Sequence, residues 1–393
     1  MTEQTNPKPR QGKAYSFWLH LKAEELKLSD EKLLEEAARH RYVVLNAKDD
    51  RSAKLIRDNN KDVKLLVYKD ISSTRKLTKA KPDPPRLPAG VGYWYAHDEH
   101  PEWFLLDQQG KRLEYDSYRD HWQMDVGDPA YLDCWVENVV KETKSLPFHG
   151  VYLDNALVAA EDYHPGRKPK KYPTDQKVHD VYAYALDHVC TRLKKEKLLT
   201  AANMSNAREH DGVWARYMKS LDIGMDEWWI AFSGTNLLEE YREGWRRQVE
   251  EIAHDERNGK TTWVQPHFTP KDTRALWYAM ASYFMAADGR SMITPIGRTD
   301  AHQELPHRWE VYGWDLGKAD EQYREVPGSK NVFRRHFARG LVLVNANKQG
   351  PDASVPIKGD YLRMDGKTVS GTVKLAPTTG LVLRRKSPSA GAR

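Results

Sequence analysis

Short runs of β-branched, aromatic and aliphatic residues alternate with longer segments of helical periodicity over residues 13–293. The runs lie at Ala14–Leu19, Tyr42–Asn46, Val63–Lys69, Gly150–Asp154, Leu199–Asn203, Asp222–Glu227, Thr261–Gln265 and Arg290–Thr294. Helical spacing recurs between them in Ala23–Arg39, Arg51–Asn59, Pro129–Lys144, Thr174–Lys195, Gly212–Ser220, Asn236–Asn258 and Pro270–Ala287. This alternation predicts an α/β fold with a parallel sheet, and eight repeats favour a closed (β/α)8 TIM barrel over an open sheet.

The longest interval without a regular pattern separates the third run from the next clear helix. It spans residues 70–128 and is rich in Pro, Gly, Trp and Tyr. A loop of that length in a compact domain is usually functional, and this one follows the carboxyl end of a strand, where barrel enzymes place their sites. We therefore expect the long loop to border a site.

Beyond residue 315 the pattern changes to short strands separated by Gly, Asp and Pro. Such strands are predicted at Asn331–Phe337, Gly340–Asn345, Ala353–Ile357 and Gly380–Arg384. The predicted organisation is a disordered N-terminus (1–13), a catalytic barrel (14–315), a linker (316–330), a small antiparallel β-domain of sandwich type (331–386) and a disordered tail (387–393).

Composition excludes several classes of protein. Of the 393 residues, 39% are hydrophobic and 30% are charged, which excludes a disordered or fibrous chain. The formal net charge of +6 is too small for a dedicated nucleic-acid-binding protein, so no nucleic-acid partner is expected. Cys134 and Cys190 are too few for a disulfide scaffold or a zinc site and are predicted to be buried thiols.

No apolar stretch approaches the ~18 residues that a membrane helix requires. The polar N-terminus also lacks the apolar core of a secretory signal. We therefore expect no membrane partner and a cytoplasmic or virion-associated location, while the sequence leaves the oligomeric state open.

Candidate catalytic carboxyls lie at the ends of two predicted strands. Asp154 closes the fourth run, and a polar residue at the carboxyl end of a barrel strand points into the site. Asp226 and Glu227 close the sixth run, but side chains alternate along a strand, so only one of them faces inward. Two tryptophans follow Glu227, and an aromatic wall raises the pKa of a carboxyl toward the range of a general acid. The alternatives are a loop-capping Asp and a rim salt bridge.

Asp154 and Glu227, with Asp226 as the alternative to Glu227, are the predicted catalytic residues. A carboxyl on each side of the barrel mouth is the arrangement that glycoside hydrolysis needs. The two carboxyls lie about 5–5.5 Å apart in retaining enzymes and ~6.5–9.5 Å apart in inverting ones. The sequence leaves this distance open.

The chain contains 13 Trp and 20 Tyr but only 8 Phe. Aromatic rings with a polar edge suit wet surfaces that bind flat ligands, although they also fill large cores. Together with polar groups at strand ends or in the long loop, several tryptophans are predicted to bind substrate. These residues are Asn46, Asp70, Trp94, Trp103, Trp122, Asp125, Asn155, Asn203, Trp228, Trp229, Trp263, Gln265 and His267. For each polar group the alternative is a bracing role in the barrel.

Competing chemistries have little support in the motifs. The sequence has no GxGxxG or GxxxxGK[ST] loop, no GxSxG elbow and no HExxH motif. We therefore expect no cofactor and no metal ligands, and a metal-dependent hydrolase is kept only as a third alternative.

Six motifs in order resemble the hypothetical glycosyl hydrolase family 15. They are Val44-Leu45-Asn46, Leu66-Val67-Tyr68-Lys69-Asp70, His100-Pro101-Glu102-Trp103-Phe104, Met124-Asp125-Val126-Gly127-Asp128-Pro129, Gly150-Val151-Tyr152-Leu153-Asp154-Asn155 and Glu227-Trp228-Trp229. The likeness runs from about residue 40 to 300, and residues 332–345 and 380–383 are similar to the β-domain that ends such proteins. The resemblance implies a (β/α)8 glycosidase with Asp154 and Glu227 as its carboxyl pair. Such barrels also resemble parts of some phage tail proteins.

The leading hypothesis is a metal-independent glycoside hydrolase that cleaves a poly- or oligosaccharide. Asp154 is the predicted nucleophile or base, and Glu227 is the predicted acid because tryptophans lie beside it. The alternative is a non-catalytic carbohydrate-binding or phage-tail structural protein that keeps the barrel groove. The sugar, the linkage, the endo or exo action and the stereochemical outcome stay open.

Overall fold

The computed structural model describes residues 11–297 and 304–386. Apart from residues 11–13, the segments predicted to be disordered, 1–13 and 387–393, lie outside the described residues. The chain divides into two compact units, one formed by Phe17–Glu227 and the other by the described parts of Met1–Ser16 and Trp228–Arg393. This division differs from the predicted domain limits.

Eight strands form one sheet with the order β1-β2-β3-β6-β7-β8-β9-β10. They are β1 (Phe17–His20), β2 (Tyr42–Leu45), β3 (Lys64–Asp70), β6 (Gly150–Asp154), β7 (Leu199–Asn203), β8 (Ile223–Asp226), β9 (Thr261–Val264) and β10 (Met292–Ile293). The pairs within each compact unit run parallel, as in β3 with β6 and β9 with β10. Helices lie between the strands along the chain, so the predicted (β/α)8 barrel is confirmed.

Eight of the nine helices of the described residues lie in the predicted periodic segments, two of which differ in extent, and α4 (Tyr93–Glu99) lies in the long loop. The nine helices are α1 (Ala23–Leu26), α2 (Asp30–Ala37), α3 (Asp50–Asn59), α4 (Tyr93–Glu99), α5 (Pro129–Ser145), α6 (Asp175–Lys195), α7 (Val213–Met218), α8 (Trp245–Arg257) and α9 (Thr273–Ala286). The segment predicted as one helix from residue 23 to 39 is broken, because Lys27 is left-handed and the Ser29 side chain caps a new helix. The helix predicted from residue 236 begins only at Trp245, after the turn at Gly244.

Two predicted helix starts are confirmed by their caps. The Asp128 carboxylate accepts hydrogen bonds from the first backbone N–H groups of α5, and Pro129 occupies the first helical position. The Thr174 hydroxyl accepts a hydrogen bond from the backbone N–H of Lys177 at the start of α6.

The long loop of residues 70–128 is more regular than predicted. It contains α4 and an antiparallel pair of short strands, β4 (Ser73–Arg75) and β5 (His121–Gln123). The sequence did not predict these strands, because strands of three residues are too short to show a periodic pattern.

The C-terminal β-domain has more strands than the four that the sequence predicts. Its sheets have the orders β11-β12-β13-β18-β15-β16 and β14-β17. The strands are β11 (Arg324–Val326), β12 (Ser329–Phe337), β13 (Gly340–Asn345), β14 (Ala353–Pro356), β15 (Tyr361–Arg363), β16 (Thr368–Val369), β17 (Thr372–Leu375) and β18 (Thr379–Arg385). The predicted linker 316–330 is therefore not irregular, because β11 pairs with β12 inside it.

Helix α9 packs closely on β18 within the same compact unit, and Gly380 permits the contact. A Cβ atom built at Gly380 would lie 2.5 Å from the Cβ of Ala281 and 2.9 Å from the carbonyl oxygen of Trp277. Since real Cβ atoms do not approach so closely, the helix and the strand would have to separate.

We expect Gly380→Ala to lower the free energy of unfolding by about 1–3 kcal/mol, the usual cost of overpacking a core. Gly313→Ala is the control, because a Cβ at that position meets nothing within 4 Å. Denaturant titration of both variants measures the difference. Equal stability of the two variants would contradict the close packing.

Candidate active site

Strands β3 and β6 each end in a carboxyl residue, and the two residues lie at the same level of the barrel. Their register pairs Tyr68 with Tyr152 and Asp70 with Asp154. Because side chains alternate along a strand, Tyr68 shares a face with Asp70, and Tyr152 shares a face with Asp154. Asn203 is the last residue of the neighbouring strand β7. Parallel pairing therefore places several polar side chains at the carboxyl ends of adjacent strands.

A single amide group joins Asp154 and Glu227. The Nδ2 atom of Asn203 donates hydrogen bonds to Oδ1 of Asp154 at 3.1 Å and to Oε2 of Glu227 at 2.8 Å. Because one nitrogen bonds both oxygens, these oxygens lie within about 6 Å of each other, and about 5 Å apart if the two bonds follow the ~120° divergence of an amide's N–H bonds.

The two carboxyls have different surroundings. Oδ2 of Asp154 accepts a hydrogen bond of 2.7 Å from the hydroxyl of Tyr68, so both oxygens of Asp154 are held by donors. Burial and, after it, the charges of Asp154 and Asp226 raise the pKa of Glu227 to about 7, although the hydrogen bond from the Asn203 amide lowers it. A carboxyl with a pKa near neutrality can give and take a proton at the pH of a cell.

Asp226 is 1% exposed and is the last residue of β8. Its contribution to the pair is electrostatic, since its charge raises the pKa of Glu227. The bond from Asn203 goes to Glu227.

A third carboxyl, Asp70, lies opposite Asp154 in the register of β3 and β6. It accepts hydrogen bonds from the Ser73 hydroxyl at 2.6 Å and from Nδ2 of Asn155 at 2.8 Å. Burial and the charge of Asp154 raise its pKa to about 6. Asn155 has a left-handed backbone (φ 61°), which asparagine tolerates, and its Oδ1 accepts a hydrogen bond of 2.7 Å from the hydroxyl of Tyr163.

Sequence reasoning missed the tyrosines of the site. Tyr68 bonds Asp154, and the Tyr163 ring stacks on Tyr115 at 4.3 Å between centroids. Burial is the largest cause of the raised pKa of Tyr163, and the charges of Asp154 and Glu227 raise this pKa further. Strand alternation could have identified Tyr68. It lies two positions before the candidate carboxyl Asp70 and therefore on the same face of β3.

Two predicted polar residues lie elsewhere. Asn46 donates a hydrogen bond to the Leu21 carbonyl and lines a cavity of about 530 Å³ that Arg75 also lines. Asp125 is 1% exposed and is held by the Tyr172 hydroxyl at 2.6 Å and by the ammonium of Lys171.

Three of the predicted sugar-binding tryptophans are core residues. Trp103, Trp229 and Trp263 are at most 3% exposed, so their rings offer no face to a ligand. This corrects the sequence interpretation, which could not separate a strand-end position from an inward-facing one. Trp94 and Trp122 are half-buried in the long loop, and the ammonium of Lys76 lies 4.9 Å from the Trp94 ring.

The remaining predicted residues belong to the other compact unit. There the half-buried Trp228 stacks on His267 with 3.7 Å between ring centroids and 11° between planes. Gln265 and His267 are both nearly fully buried.

Within residues 11–297 and 304–386, no group of three His, Cys, Asp or Glu side chains could hold a metal ion. No helix in the same ranges is long and apolar enough to cross a membrane.

The sequence profile of hypothetical glycosyl hydrolase family 15 matches residues 57–341. The chain belongs to this family. It is therefore a member of a glycoside hydrolase family with carbohydrate as its class of substrate, and the resemblance to this family is confirmed. No curated protein matches the sequence.

Solved structures of glycosidases share the fold at low sequence identity. The chain is similar to the β-L-arabinopyranosidase Abp of Geobacillus stearothermophilus, with 11% identity, 97% of this chain and 98% of that chain covered, and a TM-score of 0.52. It is also similar to the maltogenic α-amylase AmyB of Thermotoga neapolitana, with 11% identity, 94% and 98% covered, and a TM-score of 0.52. At this identity the likeness concerns the fold alone.

The shared amide leads to a prediction for Asn203→Ala. Hydrogen bonds to charged groups contribute about 1.5–3 kcal/mol each. We expect kcat/KM to fall by about 10- to 100-fold. Since the amide lowers the pKa of Glu227, the alkaline limb of the pH profile should also move to higher pH.

Asn138→Ala is the matched control, because its amide donates to the Gly90 carbonyl in the long loop. Rate measurements across pH distinguish the variants. An Asn203→Ala enzyme with a normal pH profile would refute the role of the amide.

Proposed function

We propose that this protein is a retaining glycoside hydrolase with Asp154 as nucleophile and Glu227 as acid and base. The observation that carries the proposal is the bridge from Asn203 to both carboxyls. The separation of about 5 Å inferred from it matches the ~5–5.5 Å of retaining enzymes, and it is too short for the water that an inverting enzyme places between its carboxyls.

In the first step, protonated Glu227 gives its proton to the glycosidic oxygen while an Asp154 oxygen attacks the anomeric carbon. The glycosidic bond breaks, the first product leaves with the proton, and a glycosyl ester forms on Asp154. In the second step, Glu227, now ionised, takes a proton from water as the water attacks the same carbon. The ester bond breaks, and the sugar leaves with the configuration it had at the start.

The pKa of about 7 at Glu227 supports the acid role. Below that pH the group carries the proton that the leaving oxygen needs. Its pKa falls once Asp154 is neutralised as an ester, because the charge of Asp154 is one of the causes of the elevation. Glu227 can therefore act as a base in the second step.

We assign sugar contacts to residues with accessible faces or polar atoms near the pair. These are Asp70, Asn155 and Asn203, whose side chains join the hydrogen-bond network of the carboxyls. Asp226 acts on Glu227 through its charge. We also propose that hydrolysis is independent of divalent metal, so that a chelator leaves the rate unchanged.

The test is a panel of poly- and oligosaccharides, with NMR of the freshly released anomer. Release of a sugar with unchanged anomeric configuration supports the proposal, and an inverted anomer refutes the retaining mechanism. A glycan that is bound for days without cleavage would favour the non-catalytic carbohydrate-binding alternative.

A further inference from the structure

Positive charge is concentrated in the C-terminal β-domain. Residues 318–386 carry 14 Lys and Arg against six Asp and Glu, a net charge of +8, whereas the whole chain carries +6. The remainder of the chain is therefore slightly acidic. A small domain with an excess of one sign attracts ligands of the other sign.

A cavity of about 450 Å³ lies within this domain. Its cationic lining consists of Arg334, Lys358 and Arg385, and none of the described residues around it is Asp or Glu. Leu343 and Val355 contribute to an aliphatic wall. The cavity thus combines an apolar surface with three positive charges.

These cations have no counterion within the described residues. Arg334, Lys358 and Arg385 take part in no ion pair there, and the buried Nε of Arg334 has no hydrogen-bond acceptor. The Arg385 guanidinium lies 6.0 Å from the ring of Tyr361. A half-buried guanidinium without an acceptor is costly, and an anionic ligand would satisfy it.

An acidic group beside the lining residue His336 pairs with a residue outside the lining. Glu321 lies 4.0 Å from His336 and pairs with Arg324 at 2.9 Å. Burial and the charges of Arg334 and Arg324 lower the pKa of His336 more than the charges of Glu321 and Asp320 raise it. The positive charge of the cavity therefore comes from the arginines and the lysine.

We propose that this β-domain cavity binds a carboxylate- or sulfate-bearing sugar unit of an acidic glycan. The planar fork of Arg334 matches a carboxylate or a sulfate, and the aliphatic wall matches the C–H face of a sugar ring. That the anion belongs to a glycan rests on the proposed function, while the anionic character rests on the cavity alone.

Single-stranded nucleic acid fits the cavity less well. Proteins that hold it stack bases on exposed aromatic rings. Tyr361 is the one Phe, Tyr or Trp among the described residues of the lining and is 2% exposed, which leaves the small imidazole of His336 as the other ring. The cavity offers charge without a stacking platform.

The test is calorimetric titration of the full chain with three probes that stay intact during the measurement. They are an oligogalacturonate, a sulfated heparin oligosaccharide and a neutral oligosaccharide of equal length. We expect Arg334→Gln/Lys358→Gln to bind the preferred acidic probe about tenfold more weakly than the wild type. Lys367→Gln/Lys374→Gln removes two exposed charges from the same domain away from the cavity, and we expect a loss below about twofold.

Equal weakening by the two double variants would overturn the proposal in favour of diffuse attraction. Absence of binding to both acidic probes would overturn it as well, as would tighter binding of an oligodeoxythymidylate or of phosphatidylserine vesicles. Thermal unfolding checks that the variants fold, and if the first does not, Lys358→Gln alone should still bind more weakly than Lys374→Gln. Hydrolysis is measured separately. A wild-type protein that binds an acidic probe but hydrolyses no glycan would count against the proposed function and not against the proposal for the cavity.

Discussion

Asp154→Ala should reduce hydrolysis of every glycan that the wild type cleaves by about 10³-fold or more, the scale seen when an enzyme loses its nucleophile. The variant lacks the oxygen that forms the ester, and the amide of Asn203 and the hydroxyl of Tyr68 lose their common acceptor. The measurement is kcat/KM on the best substrate from the panel.

Azide makes this prediction specific. A small anion can occupy the space left by the Asp154 side chain and attack the anomeric carbon, so added azide should restore turnover and yield a glycosyl azide of inverted configuration. The matched control is Asp222→Asn, which alters a carboxyl bound to the backbone and side chain of Thr200 near the start of β8. Normal activity of Asp154→Ala, or an azide product of retained configuration, would contradict the nucleophile assignment.

Most of the barrel was predictable because its signal is local and repeated. Each of the eight runs overlaps a strand, and Gly150–Asp154 and Leu199–Asn203 agree to the residue. The helix predicted from residue 236 was wrong at its start. Helical spacing alone cannot show that Glu240, which precedes α8, accepts hydrogen bonds from the backbone and side chain of Arg246 in the first turn of the helix.

The candidate site was predictable as a set of strand ends and not as a network. Strand alternation identifies Asp154 and Asn203 but gives no distance between them. The stacking of Tyr163 on Tyr115 joins two loops that are far apart in sequence, and no periodic pattern marks such a contact. The tryptophans were misjudged where a strand-end ring turns inward, as Trp263 does.

Glu227→Gln should leave binding intact and slow only the steps that need proton transfer. Loss of a general acid costs about 10²- to 10⁴-fold in rate. The loss should be large for natural glycosides and much smaller for nitrophenyl glycosides, whose leaving groups need no proton. Glu209→Gln is the control, because that side chain is exposed and pairs with Arg208. Comparison of kcat/KM for both substrate types gives the result.

The pH dependence of kcat/KM distinguishes the role of Glu227 from that of Asp226. In the wild type, kcat/KM should fall above pH of about 7 as Glu227 loses its proton, and this limb should vanish in Glu227→Gln. Asp226→Asn removes a charge that raises the pKa of Glu227, so its limb should shift to lower pH while most activity remains. If Asp226→Asn instead lost activity on natural glycosides and kept it on nitrophenyl glycosides, Asp226 would be the general acid.

Stability supplies an independent measurement of the same pKa. Because folding raises the pKa of Glu227 from 4.5 to about 7, the unfolded chain releases this proton first, and the folded state loses stability as pH rises between these values. The decline levels off above the folded pKa. Glu227→Gln has no proton to lose, so its unfolding midpoint should fall less than that of the wild type over this interval. Parallel curves for the two proteins would show that Glu227 has an ordinary pKa and cannot hold its proton for the leaving oxygen near neutral pH.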